Sequence, residues 1–268
     1  MMIIALTTAP LLAHAAVVGD WRFEPGAFTA DSAGGATLTA HGNVAQVTYP
    51  SAGRGADFPA SHLAGADIAT NGQYFGATIT PVQDFTIEAF FNLDSIAQHG
   101  AGFHWGALIA GAFSGSNINS GAWDFEVRLD GFSGSARGEL VVGLMGAPML
   151  KSGIVILPNK DYYAAAAVDL DQHGSATFYV QNLTDGGPLQ KVTVANGTSS
   201  RPVYSTLWIG ETPDGFNFLF DGVIDQVRLS GTVLPQSQLL ISSVPVPAGH
   251  ALMVSALVAL GAFRSRRT

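Results

Sequence analysis

The run Phe85-Thr86-Ile87-Glu88-Ala89-Phe90-Phe91-Asn92-Leu93 constrains this chain most. Phe85, Ile87, Ala89 and Phe91 fall on one side, with Thr86, Glu88 and Phe90 on the other. That alternation has the period of two of a β-strand, not the 3.6 of an amphipathic helix. The same pattern recurs along the chain between turn-forming residues. Val17 to Phe23 reads as a first strand, and Ala36 to Val47 as a strand pair. Gly53 to Asn71 is rich in Gly and Ala and has no clear period. Trp123–Leu129 and Gly138–Met145 suit a hairpin. Tyr162–Asp169 and Ser175–Asn182 suit another, joined at Asp171-Gln172-His173-Gly174. The alanines of Tyr162–Val168 favour a helix, but the run is short and bracketed by turns, so it reads as a strand. Lys191–Val194, Leu207–Gly210 and Val223–Leu229 follow, the last two separated by a turn at Thr212-Pro213-Asp214-Gly215. About a dozen short strands with few helical periods predict an all-β, two-sheet sandwich. No internal repeat supports a propeller or solenoid.

Composition narrows the function classes. Hydrophobic residues make up 47% of the 268, ample for a core, while only 12% are charged, against about 25% in ordinary soluble domains. The net charge is −8. All 20 acidic residues lie between Asp20 and Asp225, and three of the 12 basic ones are Arg264, Arg266 and Arg267, leaving nine against 20 in the body. Nucleic acid is excluded as a partner, because neutralising phosphates needs a basic face. With no Cys, disulfides, thiolate metal sites and Cys nucleophiles are excluded.

The two ends read as addresses. Residues 1–15 form an apolar run ending in the small-residue pattern Ala13-His14-Ala15, a signal-peptide type of cleavage site. At the other end, Val244-Pro245-Val246-Pro247 leads into an apolar run, Ala248–Phe263, and then Arg264-Ser265-Arg266-Arg267. As a helix that run would be about 24 Å long, a short transmembrane span with its Arg cluster on the cytoplasmic side. This tripartite end resembles the PEP-CTERM protein-sorting signal of Gram-negative bacteria: a Val-Pro-Glu-Pro motif, a transmembrane helix and an Arg-rich tail. Val246 stands in place of the Glu, as in Val-Pro-x-Pro-Ala variants. The resemblance implies transient membrane anchoring, cleavage near Pro247 by an exosortase-type sorting enzyme, and release to the cell surface or extracellular polysaccharide matrix. Val244, Pro245, Pro247, Arg264, Arg266 and Arg267 carry that expectation, and the sorting segment is 244–268.

Between the ends, Phe85–Phe91, Asp161–Asp169, Ala176–Leu183 and Asp221–Leu229 recur in the order of the strand motifs of laminin-G-like domains. The stretch 17–240 resembles that concanavalin A-like jelly roll. Tyr162 or Tyr163 takes the place of the family's usual Trp, and Leu183 follows Asn182 where Gly is usual.

Three chemistries are candidates for the body. Alternation places Asp225 on a face with Val223, Val227 and Leu229, where a carboxylate is costly unless a cation or several donors satisfy it. The resemblance implies a structural Ca²⁺ held by Asp31 and Asp225, with Asp221 as a third ligand. The alternative is that Asp31 caps a turn and Asp225 takes backbone donors. A sugar site needs an aromatic face beside polar side chains; Trp105, next to His104, with Asn117, Asn119 and Trp123 offers those types, although both tryptophans adjoin apolar runs and suit a core equally. Glycoside hydrolysis needs two carboxylates about 5–10 Å apart. Asp124 and Glu126 share a parity, with Asp130 beyond, but no E-x-D-x-x-E run exists, and a solvated face or an ion pair explains them as well. His99 and His104 have no zinc spacing, and no phosphate-binding glycine loop appears. The sequence therefore predicts an exported bacterial surface or matrix protein with a non-catalytic domain that binds or structures extracellular polysaccharide. The alternative is a secreted glycoside hydrolase.

Overall fold

The computed structural model describes residues 17–33, 35–49, 53–58, 73–95, 106–113, 123–129, 138–144, 148–171, 174–195, 205–211 and 220–243. Residues 1–15 and 244–268, with the signal and sorting assignments, lie outside them. Among the described residues fifteen strands, numbered in chain order, make two antiparallel sheets. The eight-stranded sheet runs β13 (Gln190–Ala195), β12 (Ser175–Asn182), β11 (Asp161–Asp169), β6 (Phe85–Leu93), β15 (Gly222–Ser230), β4 (Gly53–Phe58), β3 (Ala45–Tyr49), and β1 (Val17–Trp21) also pairs with β15. The seven-stranded sheet runs β10 (Leu150–Ile156), β9 (Gly138–Leu144), β8 (Trp123–Leu129), β7 (Gly106–Phe113), β14 (Thr206–Ile209), β5 (Tyr74–Thr78), β2 (Thr39–His41). Residues up to Leu234 form one compact unit. The second unit begins at Pro235 and contains a 3-10 turn, Gln236–Gln238, and the short helix α1, Leu240–Ser243. Among the described residues no helix is long and apolar enough to cross a membrane.

The alternation of β6 is real. Phe85, Ile87, Ala89 and Phe91 are fully buried between the sheets. Thr86, Glu88 and Phe90 lie on the outer face, and all three are buried too. The strand reading of Tyr162–Asp169 holds: β11 pairs with β12 through eight aligned residues and with β6 on its other edge. The β8–β9 hairpin also forms. The expected pair within Ala36–Val47 does not: β2 joins β5 in one sheet, and β3 joins β4 in the other. Likewise β14 and β15, neighbours in sequence, belong to different sheets.

The core fills the space between the sheets. Trp21, Phe23, Phe58, Phe75, Phe125 and Phe178 are all buried. Phe85 of one sheet stacks on Trp123 of the other, ring centroids 4.5 Å apart. Trp123 is 4% exposed, so it is a core residue and not a sugar-binding one. Alternation along β8 requires this: Trp123, Phe125 and Val127 point inward when Asp124, Glu126 and Arg128 point outward. Truncating such a ring to Ala costs about 3–5 kcal/mol.

Closing strand β15 carries a bulge. Its register against β6 slips between Ile224, opposite Phe91, and Gln226, opposite Phe90. Asp225 is the extra residue. Past a bulge the faces exchange: Ile224, Val227 and Leu229 are core, while Val223 and Gln226 are on the outer side. The simple alternation that grouped Asp225 with Val223, Val227 and Leu229 fails for this reason.

Candidate functional site

The outer face of the seven-stranded sheet holds a groove at its β2–β5–β14 end. Inward residues Phe75, Ala77, Leu207 and Ile209 are buried, which turns Tyr74, Gly76, Trp208 and Thr206 outward. Pairing aligns Thr39 with Gly76 and His41 with Tyr74. Trp208 lies opposite Gly76 on one side and Gly111 on the other, and its ring is buried, 5% exposed, in a cluster with Leu108 and Tyr74. His41 stacks on Tyr74 at 4.3 Å and 14°. Tyr74 tilts toward Trp208 at 6.1 Å and 50°. Gly76 is the floor between the three rings. A Cβ added there would lie 3.6 Å from Tyr74 Cε2, 3.7 Å from Trp208 Cδ1 and 3.9 Å from His41 Nε2. The space above it is about 660 Å³. Thr37, Thr39, Thr78 and Thr206 bring hydroxyls to its wall, and among the described lining residues none is Asp, Glu, Lys or Arg. Burial, then the charge of Glu211, pushes the Tyr74 phenol up. Glu211 itself accepts the Gln73 N–H at 2.5 Å.

Farther across the same face are the carboxylates Asp124 and Glu126. Asp124 lies opposite Gly111 and Gly143 and accepts the Gly143 N–H at 2.9 Å. Glu126 is fully buried and ion-paired to Arg128 Nε. Burial, then Asp124, raises Glu126 well above the ordinary carboxylate range, against the pull of Arg128. Burial also raises Asp124. Both carboxylates lie flat against glycines: a Cβ at Gly143 would collide with the Asp124 carboxylate, and one at Gly106 would sit 2.6 Å from Glu126 Oε2. Asp130, Trp105, Asn117 and Asn119 lie outside the described residues.

The three aspartates expected around a calcium ion do not come together. Asp31 spends its carboxylate on backbone: Oδ1 accepts the N–H groups of Asp20 and Ala33, both at 2.8 Å, and Oδ2 that of Gly35 at 2.6 Å. It is a turn cap. Asp221 immediately precedes β15 and is hydrogen-bonded by Ser95 Oγ; burial first, and then neighbouring carboxylates including Asp221, raise Asp57 and Asp94. Asp225 is 6% exposed, and no donor among the described residues hydrogen-bonds it. Burial, then Glu24, pushes its carboxyl up to about 8. Among the described residues no group of three or more His, Asp or Glu side chains is arranged to hold a metal. The donor set does not fit a calcium shell of six to eight oxygens.

A family model for the concanavalin A-like lectin/glucanases superfamily, of the laminin-G type, matches residues 64–240. The chain belongs to that superfamily. Among curated proteins none matches it. Solved structures with similar folds include domain 4 of an extracellular GH43 arabinanase from Geobacillus stearothermophilus, in complex with arabinotriose. That match has 16% identity and a TM-score of 0.49, covering 84% of this chain and 96% of that one. The heptameric SAP-like pentraxin of Limulus polyphemus matches at 14% identity and TM-score 0.42, over 60% of this chain and 70% of that one. The sialidase CBM40 of Ruminococcus gnavus bound to α2,3-sialyllactose matches at 13% identity and TM-score 0.40, over 60% and 83%.

Sequence reasoning missed the groove of this concanavalin A-like domain. Residues 41, 74 and 208 are far apart along the chain, and only sheet pairing joins them. One signal was available: in Leu207-Trp208-Ile209, alternation sends Trp208 out wherever its neighbours are core. The outer face of the eight-stranded sheet held another surprise. Glu88 is fully buried there, accepting Tyr163 Oη at 2.7 Å and Arg228 Nε at 2.6 Å. Desolvation of the phenol and the charge of Glu88 hold Tyr163 protonated. This network ties β6, β11 and β15 together.

Proposed function

We propose that this concanavalin A-like chain is a non-catalytic carbohydrate-binding domain that acts at the cell surface or in an extracellular polysaccharide matrix. The groove over Gly76 carries the reading: exposed His41 stacks on half-buried Tyr74 at its wall, with the buried Trp208 packed behind them. Sugar rings have apolar C–H faces that stack on aromatic faces, and the threonine hydroxyls both donate and accept, as sugar hydroxyls require. The test is binding of oligosaccharides to the full chain by titration calorimetry. Tyr74→Ala should weaken binding at least about tenfold, since such anchors carry most of the energy of a small site. Equal binding by the variant and the parent would sink the proposal.

Asp124 and Glu126 motivate a second reading, glycoside hydrolysis, because they share one face of β8. Their present engagements favour the binding reading: Glu126 is neutralised by Arg128, and Asp124 is held by the Gly143 N–H. Release of reducing ends from a polysaccharide, lost on Glu126→Gln, would overturn that preference.

The address rests on the sequence ends. In this proposal residues 1–15 direct export, and 244–268 serve as a sorting segment read by an exosortase-type enzyme. Deleting 244–268 should shift the protein from the cell envelope to the medium. An unchanged distribution would refute the sorting role and leave the binding role standing.

A further inference from the structure

We infer that the groove over Gly76 selects uncharged sugar residues and rejects those bearing a carboxylate, such as uronates and sialates. This rests on the saccharide reading of the groove. A bound carboxylate must exchange its hydration for a cation or several donors, and burying it without them is strongly unfavourable. The groove's described lining offers four threonine hydroxyls and no Lys or Arg. On the outer face of this sheet the described cations are Arg128 on β8 and Lys151 on β10. Arg128 is already paired with Glu126. Strand order puts β8 three strands from β5, and β10 five, or about 14 Å and 24 Å at the usual strand spacing. Both separations exceed the Debye length of about 8 Å at physiological salt. The described charge that acts on the groove wall is of the wrong sign: after burial, Glu211 raises Tyr74. The chain as a whole, at −8, adds repulsion toward a polyanion.

The same geometry predicts how binding responds to salt. Recognition by ring stacking and neutral hydroxyls contains no ion pair to screen, so its affinity should be flat from low to high ionic strength.

The experiment uses neutral oligosaccharides and their counterparts oxidised to carboxylates at C6, titrated into the full chain at pH 8. Tyr74→Ala and Gly76→Val are measured in parallel. Gly76→Val fills the floor of the groove while its Cβ makes only ordinary contacts, so unchanged melting with lost binding separates the groove from misfolding. The expected result is binding to a neutral member that both variants abolish, at least roughly tenfold weaker affinity for its carboxylate counterpart, and no salt dependence. Equal or tighter binding of the carboxylate form, still abolished by both variants, overturns the selectivity and leaves the groove a saccharide site. Binding that neither variant affects overturns the groove reading, and the selectivity with it.

Discussion

Asp225→Asn isolates a buried carboxylate that costs the fold stability. Asp225 is 6% exposed, has no described donor, and has a carboxyl pushed from 3.8 up to about 8, first by burial and then by Glu24. A raised carboxyl pKa means that the folded state prefers the protonated form. Below pH 3.8 the group is protonated in both states and costs nothing. As pH rises from 3.8 toward 8, the unfolded chain releases the proton and the folded chain keeps it, so stability falls. At about 1.4 kcal/mol per pH unit, the loss over that span is about 5 kcal/mol. That is a large share of the roughly 5–15 kcal/mol that holds a domain folded. An asparagine has nearly the same shape and no charge, so it removes the slope. Its buried amide brings new donors that cost about 1–3 kcal/mol if unmet. The variant should therefore be slightly less stable than the parent at pH 4 and about 3 kcal/mol more stable at pH 8. Urea unfolding at pH 4 to 8 in chelator measures this, the parent-minus-variant difference cancelling the other titrating groups. A difference constant across that range would refute the account. So would a calcium-dependent rise in parent stability that the substitution abolishes.

Three further outcomes follow from particular contacts. Asp31→Ala removes the acceptor for three backbone N–H groups and should cost about 1–3 kcal/mol in urea unfolding, equally with and without calcium. Arg128→Ala leaves Glu126 charged and buried, so it should cost about 3 kcal/mol or more at neutral pH; because Glu126 then protonates more readily, the loss should shrink as pH falls. Gly210→Ala places a Cβ against the Phe58 ring at a φ of 93°, and thermal melting should report a loss of at least about 2 kcal/mol.

Strand identity was legible wherever the alternation was clean and local. β6, β12 and the β8–β9 hairpin each announce themselves in a single run, while β11, alanine-rich and buried on both faces, was legible only from its length and the turns that bracket it. Partnership across the sandwich was not legible. The short run at Thr39–His41 lies only a turn away from Ala45–Tyr49, yet the two join opposite sheets, and no local pattern distinguishes a hairpin from a crossing. Parity failed at Asp225 because a bulge adds one residue on one strand only, a choice that depends on the partner β6. Trp123 was ambiguous between core and surface, and its stacking on Phe85 decides it. His41, Tyr74 and Trp208 meet only because the antiparallel register brings them level, information that the pairing holds and no single segment does.

The partnerships of β15 also set the order in which the molecule can be completed. One edge of this strand is shared by β1 near residues 17–21 and by β4 at 56–58, while the other takes β6. Until residues 222–230 emerge from the ribosome, three earlier strands lack the neighbour they hydrogen-bond. Their contacts span from 129 residues of chain (Leu93 to Gly222) to 213 (Val17 to Ser230), the kind of separation that slows folding because loop closure precedes any reward. A chain built this way stays unfinished until its closing strand has been made.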